Sequence, residues 1–348
     1  MANSNEVDAM RRALALAGSV NRRTSPNPRV GSVIIDANGG WVGEGVHLGA
    51  GHPHAEVEAL RAAGEAARGG TAVVTLEPCQ HMGRTGPCTE ALVRSGIVRV
   101  VFAQADPNPQ AQGGAQALAA AGLSVEGDLL GDQARQLNPV WSLAMERRRP
   151  YVTWKVASTV DGRVAALDGT SRWITGPQAR QEVHRLRGLV DAVMVGTGTV
   201  LYDDPELTAR AADGQVFDEQ PVRVVVGLRD VPAAARVNNS VAQTIQLRTR
   251  SPHHVIEQLF DREIHHVLLE GGPTVAAAFL QAGLVDRAIG YVAPALLGEG
   301  LSMVGSIQAT TLSESVRFDY DDVRLVGSDM RWIARLSETP SIEMEGVQ

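Results

Sequence analysis

Apolar residues recur at helical spacing over residues 7–17, run together over 30–36 and, after a turn at Asn38-Gly39-Gly40, return over 41–46. That order predicts a helix followed by a hairpin, because a 3.6-residue period marks one buried helix face and short apolar runs between glycine turns mark strands. Helical spacing resumes from His54 through residue 67, stops at Gly69-Gly70 and gives way to a buried strand over 71–76. A loop over 79–87, a helix over 89–94, a strand over 98–103, a helix over 116–121 and one last helix over 131–149 complete a layered α/β unit.

The run Glu146-Arg147-Arg148-Arg149 ends at Pro150, which cannot continue a helix, and the residues after it are strongly β-forming. The pattern therefore predicts a first domain over 1–149 and a second over 150–337. Apolar strands are expected in the second at 151–157, 192–195, 222–226, 266–269 and 288–293, and residues 338–348 show no periodicity and are expected to be mobile. The 348-residue length also favours two domains, and a composition 44% hydrophobic and 20% charged is that of an ordinary globular protein.

A net charge of −7 without a basic block lacks the footprint of a nucleic-acid binder, which turns attention to small-molecule substrates. No apolar stretch approaches the roughly 20 residues that span a bilayer, and the opening residues are polar, so a cytoplasmic protein with no membrane partner is expected. A homo-oligomer is expected as well, its order unread.

Chemistry concentrates in a few residues. Cys79 and Cys88 are the only cysteines, and in a reducing compartment a near pair points to a metal or catalytic site before a disulfide. His54-Ala55-Glu56 opens one helix, Pro78-Cys79 follows a buried strand, and Cys88 lies beyond a loop. One imidazole, two thiolates and a non-ligating carboxylate are the parts of a zinc deaminase: His54, Cys79 and Cys88 hold Zn²⁺ and Glu56 carries protons. Three protein ligands leave a fourth position for water, whose pKa can fall from 15.7 to about 7, worth roughly 12 kcal/mol. Two thiolates cancel the formal charge of the metal, so a nearby base matters, and Glu56 lies two residues from a ligand. Both cysteines are expected in or just before a helix start, where the dipole favours anionic sulfur. The plainer reading is a closed structural zinc site completed by His52 or His81.

With these residues in view, the chain resembles the bifunctional deaminase/reductase of riboflavin biosynthesis over nearly its whole length. In the first domain the resemblance rests on Asn27-Pro28-Arg29-Val30-Gly31, Gly45-Val46-His47, Pro53 through Glu56, and Thr75 through Cys88. In the second it rests on Lys155 through Arg163, Ser171 through Thr175, Gly196 through Leu201, Asp203-Asp204-Pro205, Arg210 and Glu270 through Thr274. The implied fold is a cytidine-deaminase-like α/β/α sandwich followed by a dihydrofolate-reductase-like α/β domain. The implied chemistry is hydrolytic deamination of a diaminopyrimidinone ribosyl phosphate, then NADPH-dependent opening of the ribosyl to a ribityl chain.

The resemblance implies that Asn27, His47, His81, Arg84, Asp106 and Asn108 surround the pyrimidine and its ribose phosphate. It also implies that Ala157, Trp173, Thr199, Asp203, Gly272, Pro273 and Thr274 line the cofactor site, and that Ser171, Arg187, Leu207, Arg210 and Glu270 face the reductase substrate. Taken alone, Asn27 and Asn108 read as Asn-Pro turn residues, Arg187 as an exposed helix charge, Trp173 as core, and Gly271-Gly272 as a tight turn. Gln80, Gly86 and Gly227-Leu228 depart from the family pattern. The last replaces polar residues near the expected cofactor site and leaves the choice between NADPH and NADH open.

Two rival readings remain at this stage: a nucleobase or tRNA deaminase with an accessory domain, and a zinc-stabilised binding module without turnover. The eight-residue gap between the cysteines weighs against the first, since that signature places two residues between them. The adjacent pairs His253-His254 and His265-His266 cannot each present both rings on one face and are read as surface residues.

Overall fold

Asn3 caps the first helix, α1 (Ser4–Gly18), by accepting the Glu6 N–H while the Glu6 carboxylate accepts the Asn3 N–H in return. The computed structural model describes residues 1–81 and 86–337 and separates into two units, Met1–Arg148 and Arg149–Gln348. Arg84 and the tail expected to be mobile lie outside the described residues.

In the first unit, β1 (Gly31–Ile35) and β2 (Trp41–Val46) form the expected hairpin, closed by the Asp36 carboxylate on the N–H groups of Asn38 and Gly40. The chain continues through α2 (Ala55–Ala63), a single 3-10 turn, β3 (Thr71–Leu76), α3 (Cys88–Arg94), β4 (Arg99–Gln104), α4 (Gly114–Ala120) and β5 (Ser124–Glu126). Strand order is β2-β1-β3-β4-β5, with β3, β4 and β5 parallel. Side chains alternate across the sheet. Val33, Ile35, Val73 and Val101 pack with Ala9 and Met10 of α1, whereas Ile34, Ala72 and Val100 pack with Leu60 of α2, Leu92 of α3 and Leu118 of α4.

Instead of one helix over 131–149, two form, α5 (Gly131–Leu137) and α6 (Pro139–Arg147). Asn138 precedes a proline, which disfavours helical backbone there, and its amide bridges to the backbone N–H and carbonyl of Arg29. The short strand β5 was also not legible from the pattern.

The second unit runs β6 (Tyr151–Thr159), β7 (Arg163–Ala165), α7 (Pro177–Leu189), β8 (Ala192–Gly196), α8 (Thr197–Asp203), β9 (Val222–Val226) and β10 (Thr244–Leu247). It ends with α9 (Pro252–Phe260), β11 (His266–Leu269), α10 (Pro273–Gln281), β12 (Arg287–Ala293), β13 (Leu301–Ser302), β14 (Phe318–Val326) and β15 (Asp329–Leu336). The main sheet has the order β10-β9-β8-β11-β6-β12-β15-β14, parallel from β10 to β12 and antiparallel beyond. Met194, Val224 and Leu269 face α9 and α10, while Val193, Val225 and Leu268 face Val200 and Leu207. The pattern alone did not give β7, β10 and β13 to β15, which are short, half-buried or, in β14, largely exposed.

His253 and His254 are exposed, but His266 departs from the surface reading. Its Nε2 lies 3.0 Å from Thr153 Oγ1 and its ring meets Tyr151 edge-on. Burial pulls its pKa down to about 4.

Candidate active sites

Because β3 and β4 are parallel neighbours, their carboxyl ends meet, with the Glu77 N–H donating to the Gln104 carbonyl at 2.8 Å. The chain then turns through Pro78 to Cys79. The N–H of Thr89 donates to the Cys79 carbonyl at 3.3 Å, tying the start of α3 to that turn. Only Cys88 opens a helix, so the expectation that both cysteines sit at a helix start holds for one of them. His54 is the residue that enters α2.

The ligating atoms of His54, Cys79 and Cys88 lie within 4.8 Å of one another, with His54 Nδ1 3.1 Å from Cys88 Sγ and 3.6 Å from Cys79 Sγ. Two sulfurs and one imidazole nitrogen at such separations are a donor set suited to zinc with one position left for water. A hydrogen bond from Cys88 pulls the Cys79 thiol down to about 4, against burial and with help from His54, while the Cys88 thiol is pushed up. Glu56, in the first turn of α2, is buried, and burial raises its pKa.

His47 directs Nδ1 at the Pro53 carbonyl, 2.9 Å away, so its proton sits there and Nε2 accepts from the Asn27 amide at 2.9 Å. Burial lowers the His47 pKa, and the ring packs edge-on to His54 at 5.2 Å. Asp106 follows β4, buried, its pKa pushed up to about 7 by burial against the N–H donated by Asn108. His81 is exposed.

Two residues without an expected role hold this geometry. The buried Glu77 carboxylate accepts the N–H of Ala115 at 2.8 Å and that of Asp106 at 3.2 Å. A Cβ on Gly114 would fall 1.8 Å from the Pro78 carbonyl oxygen. The signals available were an acid directly before Pro78 and the pair Gly113-Gly114.

In the second unit the carboxyl ends of the parallel strands open into a cleft of about 1900 Å³. Ala157 near the end of β6, Thr199 and Asp203 on α8, and Gly272, Pro273 and Thr274 at the start of α10 line it, with Trp173 beside them. Ser171, Arg187, Leu207, Arg210 and Glu270 line it too.

Three of these differ from their plain readings. Trp173 is 70% exposed, with the Arg180 guanidinium 4.6 Å above its ring, so it is no core residue. Arg187 is no exposed helix charge: it grips Glu270 through Nε at 2.6 Å and Nη2 at 3.0 Å and donates through Nη1 to the Thr208 carbonyl. Leu207 has φ 56° and a side chain in the core, so only its backbone can face the cleft. Burial alone would raise Glu270, but Arg187 and then Lys155, whose Nζ lies 3.9 Å away, hold it at about 2.

The first unit matches, over residues 3–104, the family described as the cytidine and deoxycytidylate deaminase zinc-binding region. The second matches the RibD C-terminal domain over residues 150–331, so the chain joins a zinc deaminase to a reductase. The riboflavin biosynthesis protein RibD of Mycobacterium tuberculosis H37Rv is 48% identical, covering 93% of this chain and 95% of that protein. That of Escherichia coli K12 is 40% identical, covering 92% and 96%. The solved structure of Acinetobacter baumannii RibD superposes with a TM-score of 0.86 at 40% identity, covering 96% of this chain and 99% of that one.

The chain therefore belongs to the RibD family, the bifunctional deaminase/reductases of riboflavin biosynthesis, which use zinc in one domain and NADPH in the other. The expected pairing of a cytidine-deaminase-like and a reductase domain, the zinc and the NADPH are borne out. The protein is an enzyme acting on a small molecule, and among the described residues no helix is long and apolar enough to cross a membrane.

Proposed function

We propose that residues 1–149 deaminate 2,5-diamino-6-ribosylamino-4(3H)-pyrimidinone 5′-phosphate and that residues 150–337 then reduce its ribosyl group. A Thermotoga maritima structure described as the diaminohydroxyphosphoribosylaminopyrimidine deaminase and 5-amino-6-(5-phosphoribosylamino)uracil reductase supports this reading, with a TM-score of 0.81 at 34% identity. The observation that carries it is the His54, Cys79 and Cys88 cluster with buried Glu56 beside it. Bound there, zinc would act as a Lewis acid that acidifies a water. Glu56 is the buried carboxylate that would carry a proton from the attacking water to the departing amine. Asn27, its amide nitrogen committed to His47, keeps its carbonyl oxygen for a base edge. Asp106 and Asn108 complete the pocket, while His81 and Arg84, the latter outside the described residues, serve the same substrate, the Arg84 fork suiting a phosphate.

In the reductase, bound NADPH would supply a hydride for the ribose C1′. Ala157, Trp173, Thr199, Asp203, Gly272, Pro273 and Thr274 would hold the cofactor, the positive end of α10 suiting its phosphates. Ser171, Arg187, Arg210 and the Leu207 backbone orient the substrate, while Glu270 fixes the Arg187 fork. The enzyme works in the cytoplasm without a nucleic-acid or membrane partner, a reading supported by the net charge of −7. It works as a homo-oligomer, supported by Tyr320, Val323 and Leu325 standing exposed on the outer strand β14.

The test is Glu56→Gln: zinc content by elemental analysis should persist while ammonia release falls by about a hundredfold or more. Unchanged release defeats the assignment. For the second domain, the deaminated intermediate should be consumed with oxidation of NADPH, and failure to oxidise it removes the reductase reading.

A further inference from the structure

The order of the strands lays the cofactor side of the cleft out as a line. From the centre of the sheet outward run β6, β11, β8, β9 and β10, all parallel, so their carboxyl ends open on the same rim. Ala157 stands near the end of β6, Gly272 after β11 and Thr199 after β8. Beyond them, three residues past the end of β9, comes Arg229, and three past the end of β10 comes Arg250. Both line the cleft and both are exposed.

The neighbouring charges are already spent. Arg236 pairs with Glu206 and Arg248 with Asp230. Among the described residues neither Arg229 nor Arg250 has a side-chain hydrogen bond or ion pair. The Arg229 guanidinium reaches the start of α8, where a Cβ on Gly198 would lie 2.8 Å from its Nη2.

Between strand and arginine stands Gly227-Leu228. Gly227 has φ 136°, and a Cβ there would meet Thr197 Oγ1 at 2.6 Å, so any other residue would be strained and would press on the Thr197 side chain. Leu228 is 51% exposed and offers no polar atom beyond its backbone. Recognition of an anion at this end of the cleft therefore falls to guanidinium groups.

We propose that Arg229 and Arg250 are the groups that bind the 2′-phosphate of the adenosine ribose of NADPH, an inference that rests on the reductase reading above. Adjacent strands lie about 4.8 Å apart, which puts the end of β9 roughly 10 Å outward from β11. A cofactor with its diphosphate at the start of α10 and its reactive end toward β6 would carry its adenosine ribose outward, toward the two arginines. Two guanidinium groups without carboxylate partners suit a dianion, and a ribose hydroxyl gives them nothing to pair with.

The experiment measures equilibrium binding of NADPH, NADH, adenosine 2′,5′-bisphosphate and 5′-AMP to the full chain. It compares the wild type with Arg229→Ala, Arg250→Ala and the double variant, each checked for intact deamination. In the wild type the 2′-phosphorylated ligands should bind more tightly than their counterparts. Each substitution should cost these ligands about tenfold and both together about a hundredfold, with NADH and 5′-AMP changed less than about threefold. Arg229→Lys should recover part of the loss. Retained NADPH affinity in the double variant, or an equal loss for NADPH and NADH, overturns the proposal. A wild type that binds both dinucleotides equally overturns it as well, whereas one that binds neither removes the reductase reading itself.

Discussion

Replacing Gly114 by alanine separates two influences that push in opposite directions. Helix propensity favours alanine over glycine by about 1 kcal/mol within a helix, so judged by α4 alone the change is neutral or stabilising. The surroundings say otherwise, because the added Cβ would stand 1.8 Å from the Pro78 carbonyl oxygen and 3.0 Å from its carbon. Ordinary contact needs roughly 3.5 Å, so one side must retreat by more than about 1 Å. Helix α4 cannot move freely, since the Ala115 N–H is bonded to Glu77 and Glu77 also holds Asp106. The displacement therefore passes to Pro78 and its neighbour Cys79. Zinc ligand distances are defined to about 0.2 Å and a misplacement near 1 Å can cost about a hundredfold in rate. Gly114→Ala should purify with reduced zinc and release ammonia about a hundredfold more slowly, while NADPH oxidation with preformed intermediate stays at the wild-type rate. Full zinc content with normal ammonia release would refute the reasoning, because the close approach would then have been absorbed by α4.

Gly45→Ala should act on the same site from the other side: its Cβ would lie 2.1 Å from the Ala55 carbonyl oxygen, so deaminase Tm and activity should fall with reductase turnover kept. His266, with its pKa lowered from 6.5 to about 4, stays neutral in the fold while the unfolded chain takes up a proton first. Stability is then complete above pH 6.5 and declines toward pH 4, and urea unfolding of His266→Asn should show that slope flattened. Glu270 is lowered from 4.5 to about 2, so its contribution is present above pH 4.5 and is lost as pH falls toward 2. Glu270→Gln leaves Arg187 without its counter-charge and should cost about 3 to 5 kcal/mol at neutral pH, read by urea unfolding; a loss below about 1 kcal/mol would contradict the pairing.

Much of this was legible in the chain because the relevant signals are local. The hairpin from Gly31 to Val46, the strand over Thr71–Leu76 and the grouping of His54, Cys79 and Cys88 follow from periodicity, turn residues and ligand chemistry. What stayed hidden depends on neighbours distant in sequence. Helix propensity could not show that Asn138 turns aside to bridge Arg29, a contact spanning more than a hundred residues of chain. Arg187 looks like any helix arginine until β11 brings Glu270 beneath it. Strand β14 has only a few half-buried positions, so it lacks the apolar alternation that marks a covered strand. The roles of Gly114 and Glu77 exist only once β3, β4 and α4 meet at one corner.

A feature of the first unit limits how it can respond to a ligand. Gly31 lets β1 touch the backbone of α1, and Gly43 and Gly45 let β2 touch that of α2, with no side chain between them. Sliding of packed elements depends on a cushion of side chains that can change rotamer, and here the main chains interlock like bare gear teeth. Shape change around the deaminase pocket is thereby left to the connecting loops, while the sheet and its two glycine-seated helices act as a fixed anvil.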